Sequence, residues 1–387
     1  MTLGREHGTM RMPAIQQIRA ETFSSQLQRE HKISLGTCHS CGTRDSVYDF
    51  AVDTATDGVV WAIGRGTQGQ VEYCDTSVSA NQRGTIALSS FASEFTSVAI
   101  TSSRCAAATT LSGNLFLCKL PEPSNSGLLN WDEYLGGVSA TPGPAETSLW
   151  NCAPNPSSNS DMLVAVGSTD SPHARHRGHA FLVTTSRNFD IAAHYHDSSA
   201  LRCADWLEPT VSILGSTSGA ITLWDSRTHG TSTRFHAGKA ITGLRGLGNG
   251  SQLLATESGN MKLFDVRMPK TATMTIRPRP STKPSSKVSV SKAALHISTP
   301  ESKAPNTAFD VLPSAHLVAR RDDENNIGLY SLVTGRRIRN LKTEQSAWVK
   351  RLRFLEDAQG TLGLYGCWGS AVEAWTFGGE EDDEGDV

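Results

Sequence analysis

Two stretches of this chain, forty residues apart, say nearly the same thing. Residues 213–227 (ILGSTSGAITLWDSR) and 253–267 (LLATESGNMKLFDVR) align without a gap, and Leu, Ser, Gly, Leu, Asp and Arg coincide in them. The histidines ahead of the two blocks, His196 and His236, keep the same interval. A partial third copy, TLSGNLFLCKL at 110–120, repeats Ser-Gly-Asn-apolar-x-Leu. Such a period is the mark of an array whose units cannot bury their apolar faces alone. It constrains the fold more than any local propensity does, because the units must pack on one another.

Each unit reads as strands. In AITLWD (220–225) Ile221 and Leu223 point one way while Thr222 and Trp224 point the other. Ser-Gly between two apolar runs fits a hairpin turn, with Gly219 and Gly259 supplying the left-handed backbone it needs. Looser copies occupy 46–75, 97–120, 148–185, 307–335 and 348–377, the third opened by polar insertions. With 200–234 and 240–277 they give seven units of about four strands each. HKISLGT (31–37) is expected to supply the missing outer strand of the last unit and close a ring. Closure removes the free sheet edges that would otherwise template aggregation. The 34 glycines favour the same turn-rich, all-β reading.

These units resemble the WD-repeat β-propeller family over 31–377. The resemblance implies an all-β, seven-bladed disc in which Trp224-Asp225 and Phe264-Asp265 end the third strand of their blades. The two aromatic rings would pack between sheets, with His196, His236, Gly219 and Gly259 as repeat residues. The family's usual Asp in the turn before the last inner strand is replaced by Ser218-Gly219 and Ser258-Gly259. That departure puts packing, rather than the family's His–Ser/Thr–Asp–Trp hydrogen-bond network, behind these units.

The arginines ask for a further explanation. Aromatic-Asp-x-Arg on consecutive repeats is similar to the box of the WD-repeat substrate receptors of cullin-4 ubiquitin ligases. The resemblance implies adaptor binding through Asp225, Arg227, Asp265 and Arg267, with an unknown substrate held on the other face. Residues 12–30 carry apolar Ile15, Ile18, Phe23 and Leu27 and are expected to form a weakly amphipathic docking helix after Pro13. The other reading of the arginines is structural, each pairing with an Asp inside its own blade.

Three regions lie outside the repeats: an extension at 1–30, an insertion at 278–306 and a tail at 378–387. Residues 268–306 hold seven Lys/Arg against one acid, with six Pro and twelve Ser/Thr. That composition offers too little apolar surface to offset ordering entropy, so 278–306 is expected to be disordered and dispensable for folding. No aromatics interleave with its charges, so nucleic-acid binding is not expected. The tail EEDDEGDV carries six acids in eight residues and is expected to be disordered as well.

Catalytic and metal signatures read as bland structure. GRGTQG (64–69) is followed by a strand rather than the helix a dinucleotide site requires, so it is a glycine-rich hairpin. CHSC (38–41) lacks a second ligand pair, and HARHRGH (173–179) reads as a solvated loop, so no metal site is expected. No catalytic set can be assembled and no cofactor is implied; a propeller hydrolase would need ionisable residues converging on the central channel. The net charge of −2 gives no global pull toward polyanions, and no apolar run is long enough to span a membrane. The eight cysteines, several within apolar runs, suit a reducing nuclear or cytoplasmic home. The expectation is a non-catalytic scaffold, monomeric within a larger complex. The alternative within the same class is a general scaffold in chromatin or ribosome assembly.

Overall fold

The computed structural model describes residues 4–34, 46–53, 58–65, 68–74, 85–91, 93–120, 138–144, 146–157, 160–170, 177–185, 190–227, 233–257, 260–267, 271–276, 286–299, 308–322, 326–343, 349–356, 362–368 and 371–377. Among these the strands form seven four-stranded antiparallel sheets and one two-stranded ribbon. The sheets, blades one to seven, span 46–91, 95–140, 147–197, 201–236, 241–298, 309–341 and 351–377. In each the first strand is innermost; the outer strand comes last in the chain except in blade seven, whose three strands at 351–377 take a fourth from ahead of blade one, and the core is divided into apolar layers between neighbouring blades. This is a β-propeller.

Leu27–Ser34 pairs antiparallel with Ala371–Phe377 and supplies the outermost strand of blade seven. The closing strand therefore begins four residues before HKISLGT. Leu27, expected on the helix, is instead buried beside Leu329, Leu364 and Trp375. The reason is the open edge of Ala371–Phe377, whose backbone groups capture the chain as soon as it leaves the helix. The helix itself runs Gly4–Gln26 with Pro13 inside it.

The insertion corrects a second expectation. Ser286–Ser291 pairs with Thr271–Ile276 as the ribbon, and Leu295–Ser298 pairs with Asn260–Asp265 as the outer strand of blade five. The fourth strand of that blade thus lies beyond 240–277, where it was expected. Ile297 is fully buried with Leu254, Met261 and Leu263. Composition averaged over a long polar stretch hides a four-residue strand whose stability comes from the sheet edge it completes. Residues 277–285, 300–307 and the acidic tail lie outside the described residues.

The missing turn Asp has a substitute. Ser216, at the end of its strand, accepts the backbone N–H of Ala220 on its hydroxyl at 3.1 Å and sits 2.8 Å from the Ser218 hydroxyl. In blade two Thr110 does the same for Asn114 at 3.0 Å, with Ser112 beside it at 3.1 Å. In blade six Asp322 takes the role, accepting the N–H of Asn326 at 2.8 Å. Gly219 completes the serine version at φ 85°, and a Cβ there would stand 2.6 Å from the Lys239 carbonyl oxygen. A side chain is excluded twice, by conformation and by space.

Candidate protein-docking face

Trp224 and Phe264 do the same job in successive blades. Trp224 is buried among Ala204, Trp206 and Leu214, with Tyr195 of blade three 5.9 Å away between ring centroids. Phe264 is buried against Phe235 of blade four at 5.4 Å. Each ring therefore packs between two sheets, and the chain leaves the third strand immediately afterwards at the rim.

There the Asp-x-Arg segments fold identically. Asp225 accepts the backbone N–H of Arg227 at 2.9 Å, the local turn that a short carboxylate favours. The Arg227 guanidinium returns to the same carboxylate, Nε to Oδ1 at 3.0 Å and Nη2 to Oδ2 at 2.7 Å. In blade five the corresponding distances for Asp265 and Arg267 are 3.0, 3.1 and 2.8 Å. Both arginine side chains are 67% exposed. The fork spends two of the five N–H donors a guanidinium carries, so each arginine is braced by its own blade and still offers donors outward. Hydrogen bonding from Arg227 holds the Asp225 carboxyl down at about 2, and Arg267 lowers that of Asp265 in the same way.

The N-terminal helix shares this face. In a four-stranded meander the first and third strands run the same way, so their ends lie together. Ser226 donates its N–H to Thr210, Val266 to Ser251 and Leu332 to His316, tying the two turns in blades four, five and six. The helix sits on this side of blade six. Ala20 is fully buried on Leu312, Ala315 and Leu317; Ser331 and Thr334 donate to Gln17; Arg339 donates to the Ser24, Ser25 and Leu27 carbonyls. Of the four apolar positions expected on one helical face, Phe23 turns inward while Ile15 and Ile18 are 50% and 60% exposed. One face of the disc thus presents two arginine forks and two isoleucines.

The axis carries a second set of charges, which the sequence did not reveal. Bonds between innermost strands run right around the ring. Asp49 accepts the Val98 N–H at 2.9 Å, and Asn151 donates to Ser97 at 3.4 Å while accepting the Ala204 N–H at 3.0 Å. Asp205 accepts the Gly246 N–H at 3.0 Å, Arg245 pairs with Asp310 at 2.6 Å, and Asp310 accepts the Phe354 N–H at 2.7 Å. Arg351 and Arg353 close the circuit on Asp49 at 3.3 and 3.6 Å. Burial raises the Asp205 carboxyl and lowers Arg353. It also opposes charge on Arg245, yet Asp310 and Asp205 outweigh it and hold that guanidinium above its ordinary value. The ionisable residues that a hydrolase would require are there, but three aspartates and three arginines are committed to one another and to the backbone.

His236 lies half-buried at the end of the outer strand of blade four, opposite Ala220. His196 is exposed on the outer strand of blade three. Gly259 and CHSC lie outside the described residues, as do His173 and His176. GRGTQG does join two paired strands, Arg65 facing Gln68. His179 is not in a solvated loop: it is buried in Gly178–Thr184, where register places it opposite His196. Cys105, Cys152, Cys203 and Cys367 are buried, and burial pushes each thiol up to about 12, which leaves them as small hydrophobes. No helix among the described residues is long and apolar enough to cross a membrane.

No protein-family profile matches the chain, and no curated protein does. Among solved structures it is similar to a chain of the crystal structure of the Mitotic Checkpoint Complex. The TM-score is 0.59 at 10% identity, over 90% of this chain and 94% of that one. That likeness is one of fold.

Proposed function

We propose that this chain is a non-catalytic, seven-bladed WD-repeat scaffold. In this reading it docks by the face bearing Arg227, Arg267 and the N-terminal helix, and serves as a substrate receptor of a cullin-4-type ubiquitin ligase. The observation that carries the reading is the pair of matching arginine forks on adjacent blades. Each is preorganised by its own Asp, so little side-chain entropy is lost when a partner's carboxylate or carbonyls meet the outward N–H groups. Arg is also a frequent hot-spot residue in protein interfaces. Exposed Ile15 and Ile18 on the same side would add apolar contact.

Support for a scaffold over a hydrolase comes from the axis, whose ionisable groups are spent on holding blades together. The substrate would be met by the opposite face, and the complex would work in the nucleus or cytoplasm. Affinity purification of the full chain at endogenous level tests the assignment. The ligase's damaged-DNA-binding-protein adaptor and its cullin should be recovered in near-stoichiometric yield. Recovery of a different stable assembly lacking both would replace the ligase reading with that of a general scaffold.

A further inference from the structure

Outside the docking face, the third blade gathers three histidines. His179 lies on its third strand, while His194 and His196 lie on its outer strand, Asp190–Asp197. One ligand atom from each falls within 4.8 Å of the others. His179 Nδ1 and His194 Nε2 stand 3.4 Å apart, and the His194 and His196 ring centroids are 3.8 Å apart. In a tetrahedral zinc site, metal–nitrogen bonds of about 2.0–2.1 Å set nitrogen–nitrogen edges of about 3.3–3.4 Å. One edge of that tetrahedron is therefore already in place.

The surroundings are those of a built ligand set. The His179 Nε2 lies 3.0 Å from the Thr169 hydroxyl, itself 3.1 Å from that of Thr147. A partner on the far nitrogen fixes ring orientation and tautomer, turning Nδ1 toward the other two imidazoles. Phe181 stacks on His194 at 4.4 Å and walls one side. His194 and His196 are exposed, which leaves the cluster open to solvent.

We propose that His179, His194 and His196 bind a borderline divalent transition ion, Zn²⁺ foremost, through three imidazole nitrogens, with a fourth position open to water. Three nitrogen ligands and no carboxylate disfavour Mg²⁺ and Ca²⁺. The site would clamp the outer strand of blade three to its neighbour at one point of the rim, independently of the arginine forks.

The test uses full-length protein free of any affinity tag. Cys38→Ser/Cys41→Ser serves as background, so that CHSC contributes no metal. Zn²⁺ is titrated in competition with a chromogenic chelator, and Co²⁺ is followed by its visible absorption. The expected result is one Zn²⁺ per chain and the intense bands of tetrahedral Co²⁺. Both should be lost in His194→Ala/His196→Ala, which replaces exposed side chains, and retained in His236→Ala. Thr169→Val, with an unchanged melt, should weaken Zn²⁺ about tenfold through loss of ring orientation. Unchanged stoichiometry in the double histidine variant would overturn the proposal. So would an absence of competition by the parent protein, which would leave the cluster as a stack of hydrogen-bonded imidazoles.

Discussion

The axis and the rim of this propeller use the same two residues, Arg and Asp, to opposite ends. At the axis, Asp49 has no exposed side-chain surface and is met by Ser97, the Val98 N–H, Arg351 and Arg353, all from neighbouring blades. At the rim, Asp225 and Asp265 meet an arginine two residues away in the same turn, and those arginines are mostly in water. The inner pairs connect elements far apart in sequence, so breaking one strands a buried charge. Each outer pair joins two residues of a single turn. Their contribution to stability is small, and what they add is a fixed guanidinium facing outward. Sequence separation between partners and burial together distinguish a structural ion pair from a presented one.

Blade five carries both kinds, Arg245 on its inner strand and Arg267 at its rim, and so offers the largest test. Deleting 286–299 with a short Gly/Ser bridge removes its outer strand and the burial of Ile297. Soluble yield should collapse as the edge of Asn260–Asp265 is exposed. Normal yield with an unchanged melt would show that the rim of blade five stands without its outer strand. At the axis, Asp49→Ala should cost about 3–5 kcal/mol in denaturant unfolding, because two arginines lose a buried carboxylate. A loss comparable to that of a surface pair would remove the contrast between axis and rim. Gly219→Ala, forced into a left-handed turn against the Lys239 carbonyl, should cost about 1–3 kcal/mol in the same assay.

The rim was legible in the sequence and the axis was not, for a physical reason. Trp224-Asp225-x-Arg227 and Phe264-Asp265-x-Arg267 are local and repeated, so the resemblance to WD repeats that they carry was enough to place them at a strand end. Asp49, Asp205, Arg245, Asp310 and Arg353 sit singly in strands whose pattern reads as ordinary alternation, and only ring closure brings them together. The histidine cluster escaped for the same cause. HARHRGH holds His173, His176 and His179 close in sequence, whereas the residues that converge on His179 come from the next strand in antiparallel register. Leu295–Ser298 was hidden differently, by the Ser, Pro and Lys around it.

Acid should move the two regions in opposite directions. Arg227 holds Asp225 at about 2 against an ordinary 3.8. The fork's contribution is therefore complete above pH 3.8 and is lost as pH falls through about 2. For Asp205 burial dominates and the folded value lies above 3.8. The folded state then binds the extra proton, so this group adds stability as pH falls through its raised value. In melts across this range, the parent's advantage over Asp225→Asn should shrink and its advantage over Asp205→Asn should widen. Parallel curves for the two variants would mean that axis and rim carboxylates share one environment.

The smallest effect on stability belongs to the arginines themselves, and it carries the central claim that they are presented to a partner rather than needed by their blades. Arg227→Ala/Arg267→Ala, with melting temperature and adaptor capture measured on one preparation of full-length protein, tests it directly. The expected result is a melt within about 2 °C of the parent, together with a loss of capture of about thirtyfold or more in affinity for each true hot spot. A lowered melt with full capture by the folded fraction would contradict it, and would return both arginines to the role of internal struts.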